Sequence, residues 1–95
     1  MYHLQVVTPE EMIFDDEVIA LVAPGEEGYL GVLTNHAPLL VSLKAGVLVI
    51  TEKSNKKAYY KVSAGFLEVS HNQASILVET VQPTAPVDIG VQGGI

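Results

Sequence analysis

Residues 47–64 read VLVITEKSNKKAYYKVSA. Over the first half Val47, Val49 and Thr51 alternate with Leu48, Ile50 and Glu52. Over the second, Tyr60, Val62 and Ala64 alternate with Tyr59, Lys61 and Ser63. A period of two puts successive side chains on opposite faces of a strand. The link Ser54-Asn55-Lys56 is polar and turn-prone, so the stretch predicts a β-hairpin joining residues 47–53 to residues 57–64.

Outward from this hairpin the pattern continues in shorter pieces. Gly65 breaks the alternation, residues 66–69 form a short strand, His71-Asn72 a tight turn and residues 74–81 a last strand. On the other side Lys44-Ala45-Gly46 turns the chain. Leu39–Leu43 is a strand entered through Pro38, which cannot donate to a sheet ladder. Residues 23–40, APGEEGYLGVLTNHAPLL, are the densest in turn chemistry, with Pro24, Gly25, Gly28, Gly31, Asn35 and Pro38. Within them Tyr29-Leu30 is a bridging strand, residues 31–33 offer another, and Thr34-Asn35-His36 is loop. Residues 18–23, VIALVA, are apolar throughout, which suits a strand covered on both faces or one that meets a partner. Asp15-Asp16-Glu17 is a charged bend after a short strand at residues 12–14. Residues 2–8 open the chain as a strand, with Tyr2, Leu4 and Val6 on one face and His3 and Gln5 on the other. The absence of any amphipathic helix, with turns about every ten residues, predicts an all-β protein, an antiparallel sandwich or barrel. Residues 1–82 make one β domain, and residues 83–95, with Pro83, Pro86, Gly90, Gly93 and Gly94, a mostly extended tail with frayed ends.

Composition narrows the function. With 5 lysines, no arginine and 11 acidic residues, the chain has neither a phosphate-binding patch for nucleic acid nor a guanidinium clamp for phosphoryl transfer. It has no cysteine, which removes disulfides and thiolate metal sites. Although 48% of its residues are hydrophobic, no apolar run approaches the ~20 residues of a membrane span. MYHLQVV lacks the basic region and cleavage pattern of a signal peptide, so an intracellular, soluble protein is expected.

No catalytic constellation emerges. His36 has Glu26 and Glu27 near it in sequence, but a catalytic histidine needs a fixed carboxylate or nucleophile, and a loop histidine bonded to backbone explains it better. His3, His36 and His71 show no ligand spacing, so no metal is expected. Gly25, Gly28 and Gly31 lack the following Lys-Ser or Lys-Thr and the helix of a phosphate cradle. Ser63 lacks the flanking glycines and helix of a nucleophile elbow. The acidic runs at residues 10–11 and 15–17 read as solvated faces, and Lys53, Lys56, Lys57 and Lys61 as edge protection or a docking patch for an acidic partner. What remains is a β domain that binds protein through part of its apolar excess. Two rivals stand beside it: a ligand-binding or adaptor sandwich, which would show a concave aromatic site, and a small hydrolase using His36.

The central stretch also resembles the epsilon subunit of the F-type ATP synthase. The resemblance rests on Val22-Ala23-Pro24-Gly25, on Glu27-Gly28-Tyr29-Leu30-Gly31-Val32-Leu33 and on His36-Ala37-Pro38-Leu39-Leu40. It extends to the opening YHLQVVTPE, to Lys44-Ala45-Gly46-Val47 and to Ser63-Ala64-Gly65-Phe66-Leu67-Glu68-Val69, in order over residues 2–81. It implies a β-sandwich of about ten strands with no active site, no cofactor, no metal and no nucleotide. The implied partners are the gamma subunit and the c-ring, and the implied place is peripheral, on the cytoplasmic face of a bacterial plasma membrane or its organelle equivalent. Carried over by motif, the gamma-facing residues are Thr8, His36, Ala37, Pro38, Leu39 and Val41. The ring-facing ones are Glu27, Gly28, Tyr29, Leu30 and Gly31. Tyr29 stands where the family often has an acidic residue, and Asn35 where a glycine usually precedes the histidine. The Pro- and Gly-rich tail stands where family members commonly continue into a helical hairpin, so neither that hairpin nor inhibition of ATP hydrolysis through it is expected.

Overall fold

The structure, a computed structural model, describes residues 1–89 and the backbone of Gly93–Gly94. The strands are β1 (Tyr2–Val7), β2 (Met12–Gly25), β3 (Gly28–Val32), β4 (Leu39–Leu43) and β5 (Gly46–Glu52). They continue with β6 (Lys57–Val62), β7 (Gly65–Ser70), β8 (Gln73–Val78), β9 (Val81–Pro83) and β10 (Gly93–Gly94). The hairpin read from residues 47–64 is present as β5 and β6, in register from Gly46↔Val62 to Thr51↔Lys57. Asn55 closes it at φ 72°, a left-handed conformation that asparagine tolerates better than most residues.

One strand organises the rest. The first half of β2 pairs with β1, from Tyr2↔Val18 to Val7↔Met12. Its second half pairs with β5 on one edge and β3 on the other. β2 therefore belongs to two layers. One holds β1, β8, β7 and β4, joined to β2 by β1 along its first half and by Leu43 of β4 opposite Gly25 at its end; the other holds β3, β5, β6 and β9, joined to its second half by β3 and β5. The layers face each other across one core of Tyr2, Leu4, Val6, Leu67, Val69 and Ile76 on one side and Leu21, Val32, Leu48, Ile50 and Val62 on the other. The Tyr2 hydroxyl crosses between them and donates to the Val32 carbonyl at 2.7 Å, and its burial pushes the phenol well above its ordinary pKa.

The chain is all-β, as its alternation predicts, and the two-layer arrangement makes it a sandwich. Several elements differ from expectation. Residues 15–17 are not a bend but the middle of β2, where Asp15 and Glu17 stand opposite Gln5 and His3. The expected pieces at residues 29–30 and 31–33 are one strand, β3. The sandwich is not wholly antiparallel, because β1 runs parallel to β8, from His3↔Gln73 to Val7↔Leu77. The last strand divides at Glu79 and Thr80, whose N–H groups donate to the Ser63 hydroxyl oxygen at 2.9 and 3.1 Å. The chain then resumes as β9, paired with β6. After Pro83, residues 84–89 carry no strand, and Thr84 donates to the Tyr59 carbonyl at 3.0 Å. The rest of the expected tail, residues 90–92 and 95, lies outside the described residues. Among the described residues no helix is long and apolar enough to cross a membrane.

Candidate protein interface

β2 and β3 form a hairpin closed by Glu26 and Glu27, with Gly25 opposite Gly28. Gly25 has no room for a side chain, since a Cβ there would meet the Gly28 oxygen and Leu30 Cδ2 at 2.8 Å each. Gly28 holds φ 135°, open to glycine alone. The tip is braced against the β4–β5 corner. Lys44 N–H donates to the Pro24 carbonyl at 2.9 Å, Glu26 N–H to the Ser42 carbonyl at 3.1 Å, and Val47 N–H to the Tyr29 hydroxyl at 3.1 Å. The glutamate pair is exposed at the end of a stiff arm, while Tyr29 is half-buried with its hydroxyl turned to β5.

Along β4, Leu43 is fully inside, Leu39 and Val41 pack against the rim of the core, and Leu40 faces outward, 70% exposed. Leu30 on β3 packs against the same core. Between the hairpin and β4 lies a cleft of about 380 Å³ lined by Glu26, Glu27, Leu30, Val41 and Ser42 with Gly25 and Gly28. Leading into β4, Asn35 takes φ 60° and its N–H donates to Asn72 Oδ1 at 2.8 Å. Asn72 Nδ2 donates in turn to the Met1 carbonyl at 3.1 Å. His36 Nδ1–H donates to the Ala37 carbonyl at 2.6 Å, and Ala37 and Pro38 are exposed.

Thr8 lies elsewhere. It is buried, its N–H donates to the Glu11 carbonyl at 2.9 Å, and it lines a second cleft of about 390 Å³ with Val7, Pro9, Phe66 and Leu77. The register carries a row across the outer face of that layer, from Val7 to Leu77, Phe66 and Ser42. Phe66 is 53% exposed and Leu77 49%. Thr8 thus adjoins one end of an apolar row and β4 the other.

The titratable groups are arranged for structure. His3 is held between Asp15 and Glu17, with Glu17 Oε2 at 2.9 Å from its Nδ1 and Asp15 Oδ1 against its Nε2. These hydrogen bonds, Asp15 first, hold the imidazole above its ordinary pKa. The backbone N–H of Glu17, and then Lys53 at 3.3 Å, hold the Asp16 carboxyl below its own. His71 bonds to the Ser70 hydroxyl at 2.8 Å. Among the described residues no three His, Cys, Asp or Glu are grouped to hold a metal ion.

A family model described as ATP synthase, Delta/Epsilon chain, beta-sandwich domain matches residues 1–84. The chain belongs to that family. Among similar delta/epsilon relatives, the ATP synthase epsilon chain of Protochlamydia amoebophila is 35% identical over 89 residues, covering 94% of this chain and 60% of that one. The epsilon chain of Moorella thermoacetica is 38% identical over 87 residues, covering 92% and 65%. The chain therefore spans 60–65% of the length of these delta/epsilon relatives. A chain of the Euglena gracilis mitochondrial ATP synthase, solved by cryo-EM as OSCP/F1/c-ring, superposes with a TM-score of 0.82 at 29% identity, over 90% of this chain and 54% of its own. A chain of the Tetrahymena thermophila mitochondrial ATP synthase, central stalk and c-ring, gives 0.71 at 21% identity, over 83% and 63%, and shares the fold.

Within this delta/epsilon sandwich the residues implied for two different partners meet. Leu30 and Glu27 stand on one side of the hairpin cleft and Val41 on the other, with Leu39 two places along β4. His36, Ala37 and Pro38 lead into the same strand. Thr8 is the member the fold sets apart. Sequence reasoning missed Asn72, which ties the His36 loop to the N-terminus, because an asparagine in a turn carries no sign of a partner 37 positions away.

Proposed function

We propose that the chain is a non-catalytic rotor subunit of an F-type ATP synthase, a sandwich that joins the gamma subunit to the c-ring and couples ion movement to ATP synthesis. The observation that carries this is the family match over residues 1–84, which takes in both the Glu26-Glu27 hairpin and β4. The arrangement of the residues supports it. His3 and His36 bond to carboxylates and backbone, and the exposed His71, which bonds to the Ser70 hydroxyl, has no carboxylate partner among the described residues to orient it as a base. In this assignment Glu27, Gly28, Tyr29, Leu30 and Gly31 form the arm toward the c-ring. Thr8, His36, Ala37, Pro38, Leu39 and Val41 form the surface toward gamma. The subunit is peripheral, on the cytoplasmic face of a bacterial membrane or its organelle equivalent.

Titration against purified gamma subunit of the same source, followed by calorimetry, tests it. The expected result is a saturable 1:1 complex that Pro38→Asp weakens by about tenfold or more, since a few central contacts carry most of an interface. Pro38 is exposed, so the substitution leaves the core intact. Folded protein that does not bind gamma would return the function to an adaptor of unknown partner.

A further inference from the structure

Gly46 opens β5 beneath Pro24 and Tyr29. A Cβ at Gly46 would lie 2.7 Å from Pro24 Cβ and 2.8 Å from the Tyr29 hydroxyl oxygen, closer than real Cβ contacts come. The tyrosine hydroxyl and the bare glycine therefore fit each other. The next residue, Val47, has its N–H on that hydroxyl at 3.1 Å. The ladder explains why a side chain is needed there. The β2–β5 pairing ends at Val22↔Val49, and two places further on Pro24 falls opposite Val47. The Pro24 carbonyl is engaged by Lys44 N–H, and proline has no N–H of its own to give. The Tyr29 hydroxyl supplies the acceptor beyond the end of the backbone ladder.

We propose that Tyr29 is a positioning residue, a latch whose hydroxyl fastens the β2–β3 hairpin to the start of β5 over Gly46. The Glu26-Glu27 turn and the neighbouring Lys44-Ala45 turn are thereby presented to a partner as one rigid, mixed-charge end. The choice of the c-ring as that partner rests on the rotor assignment above, whereas the latch is a property of the isolated chain. Tyr29 stands in the segment that the resemblance turns toward the ring, but its polar tip points into the molecule. Its contribution to docking is to fix the geometry of its neighbours.

Residue-resolved amide hydrogen exchange on the isolated protein, paired with binding to purified c-ring of the same source, tests the latch. Tyr29→Phe keeps the ring and removes only the hydroxyl. It should speed exchange at Val47 about tenfold and at Glu26 by a smaller factor, because each loses part of a hydrogen-bonded brace. Leu4 and Ile76 in the other layer should be unchanged. Gly46→Ala should give the same local pattern, and adding Tyr29→Phe to it should produce no comparable further increase, since both changes release one contact. Affinity for the c-ring should fall about three- to tenfold in step with Val47 exchange. Unchanged Val47 exchange in Tyr29→Phe overturns the latch, as does acceleration spread evenly over all amides. Faster exchange at Val47 with unaltered ring binding keeps the latch and overturns its use toward the ring. Loss of ring binding without faster exchange overturns the latch and leaves the rotor assignment standing.

Discussion

His3 illustrates how a residue acquires its role from a partner distant in sequence. On the first strand it is one polar side chain among alternating apolar ones, and sequence gives it only a face. Pairing with β2 places Glu17 directly opposite and Asp15 within reach, so an imidazole sits between two carboxylates. The folded pKa lies above the ordinary imidazole value of about 6.5, so the stabilisation is fully present below about pH 6.5 and is lost as pH rises through the folded value. Asp16 behaves oppositely, its contribution being lost as pH falls through its depressed folded pKa. Thermal melts of wild type and His3→Gln should therefore differ most below about pH 6.5 and converge as pH rises through the folded value. A gap that widened toward alkaline pH would remove the clamp. Leu30 carries another residue-scale consequence. It packs on the core rim as well as lining the cleft, so Leu30→Asp should cost about 1.5–3 kcal/mol of folding stability, measured by denaturant unfolding, and is a poor probe of docking alone.

At the scale of elements, the sequence marks the turns more faithfully than the strand lengths. Gly25, Gly28, Asn35, Asn55 and His71-Asn72 all fall where the chain reverses, because left-handed or crowded backbone selects those residues locally. β2 escaped because three acidic residues in a row look like a bend until β1 is beside them, and its length of 14 residues is set by partners from both layers. β9 escaped because the break at Glu79 and Thr80 depends on Ser63, 16 and 17 positions away. The β7–β8 turn was recognised but not its reach. At φ 56°, Asn72 holds a backbone that alanine resists, and its side chain joins the Asn35 loop to Met1. Asn72→Ala should lower stability by about 1–2 kcal/mol in denaturant unfolding and speed exchange at the Asn35 amide. Asn72→Asp retains the acceptor for Asn35 and should recover part of that exchange protection. Equal effects of both changes on Asn35 would deny the bond its role.

The molecule as a whole has two poles. β5 runs from the Tyr29 latch at Gly46 to Glu52, beside the lysine-rich turn, so Lys53 and Lys56 lie at the end remote from Glu26-Glu27. Charge reversal at Lys56 or Lys57 should change gamma and c-ring affinity by less than about 0.5 kcal/mol, against more than about 1 kcal/mol for Pro38→Asp. Equal losses at the lysine turn and at Pro38, read by calorimetry, would dissolve the assignment of a gamma-facing surface around Pro38. Strand periodicity made the all-β class legible, and the motif series its family. Periodicity alone left sandwich and barrel open, since that choice turns on β2 serving both layers, and the motif series supplied the sandwich; the parallel pairing of β1 with β8 was not legible. That pairing bears on how the chain is made. The first strand leaves the ribosome long before its parallel neighbour, which ends at Val78, has been translated. At roughly 5–20 residues per second the delay is on the order of 4–14 s. Throughout it, one edge of a strand bearing Tyr2, Leu4 and Val6 waits without its final neighbour, a window in which nascent chains depend on their surroundings to stay apart.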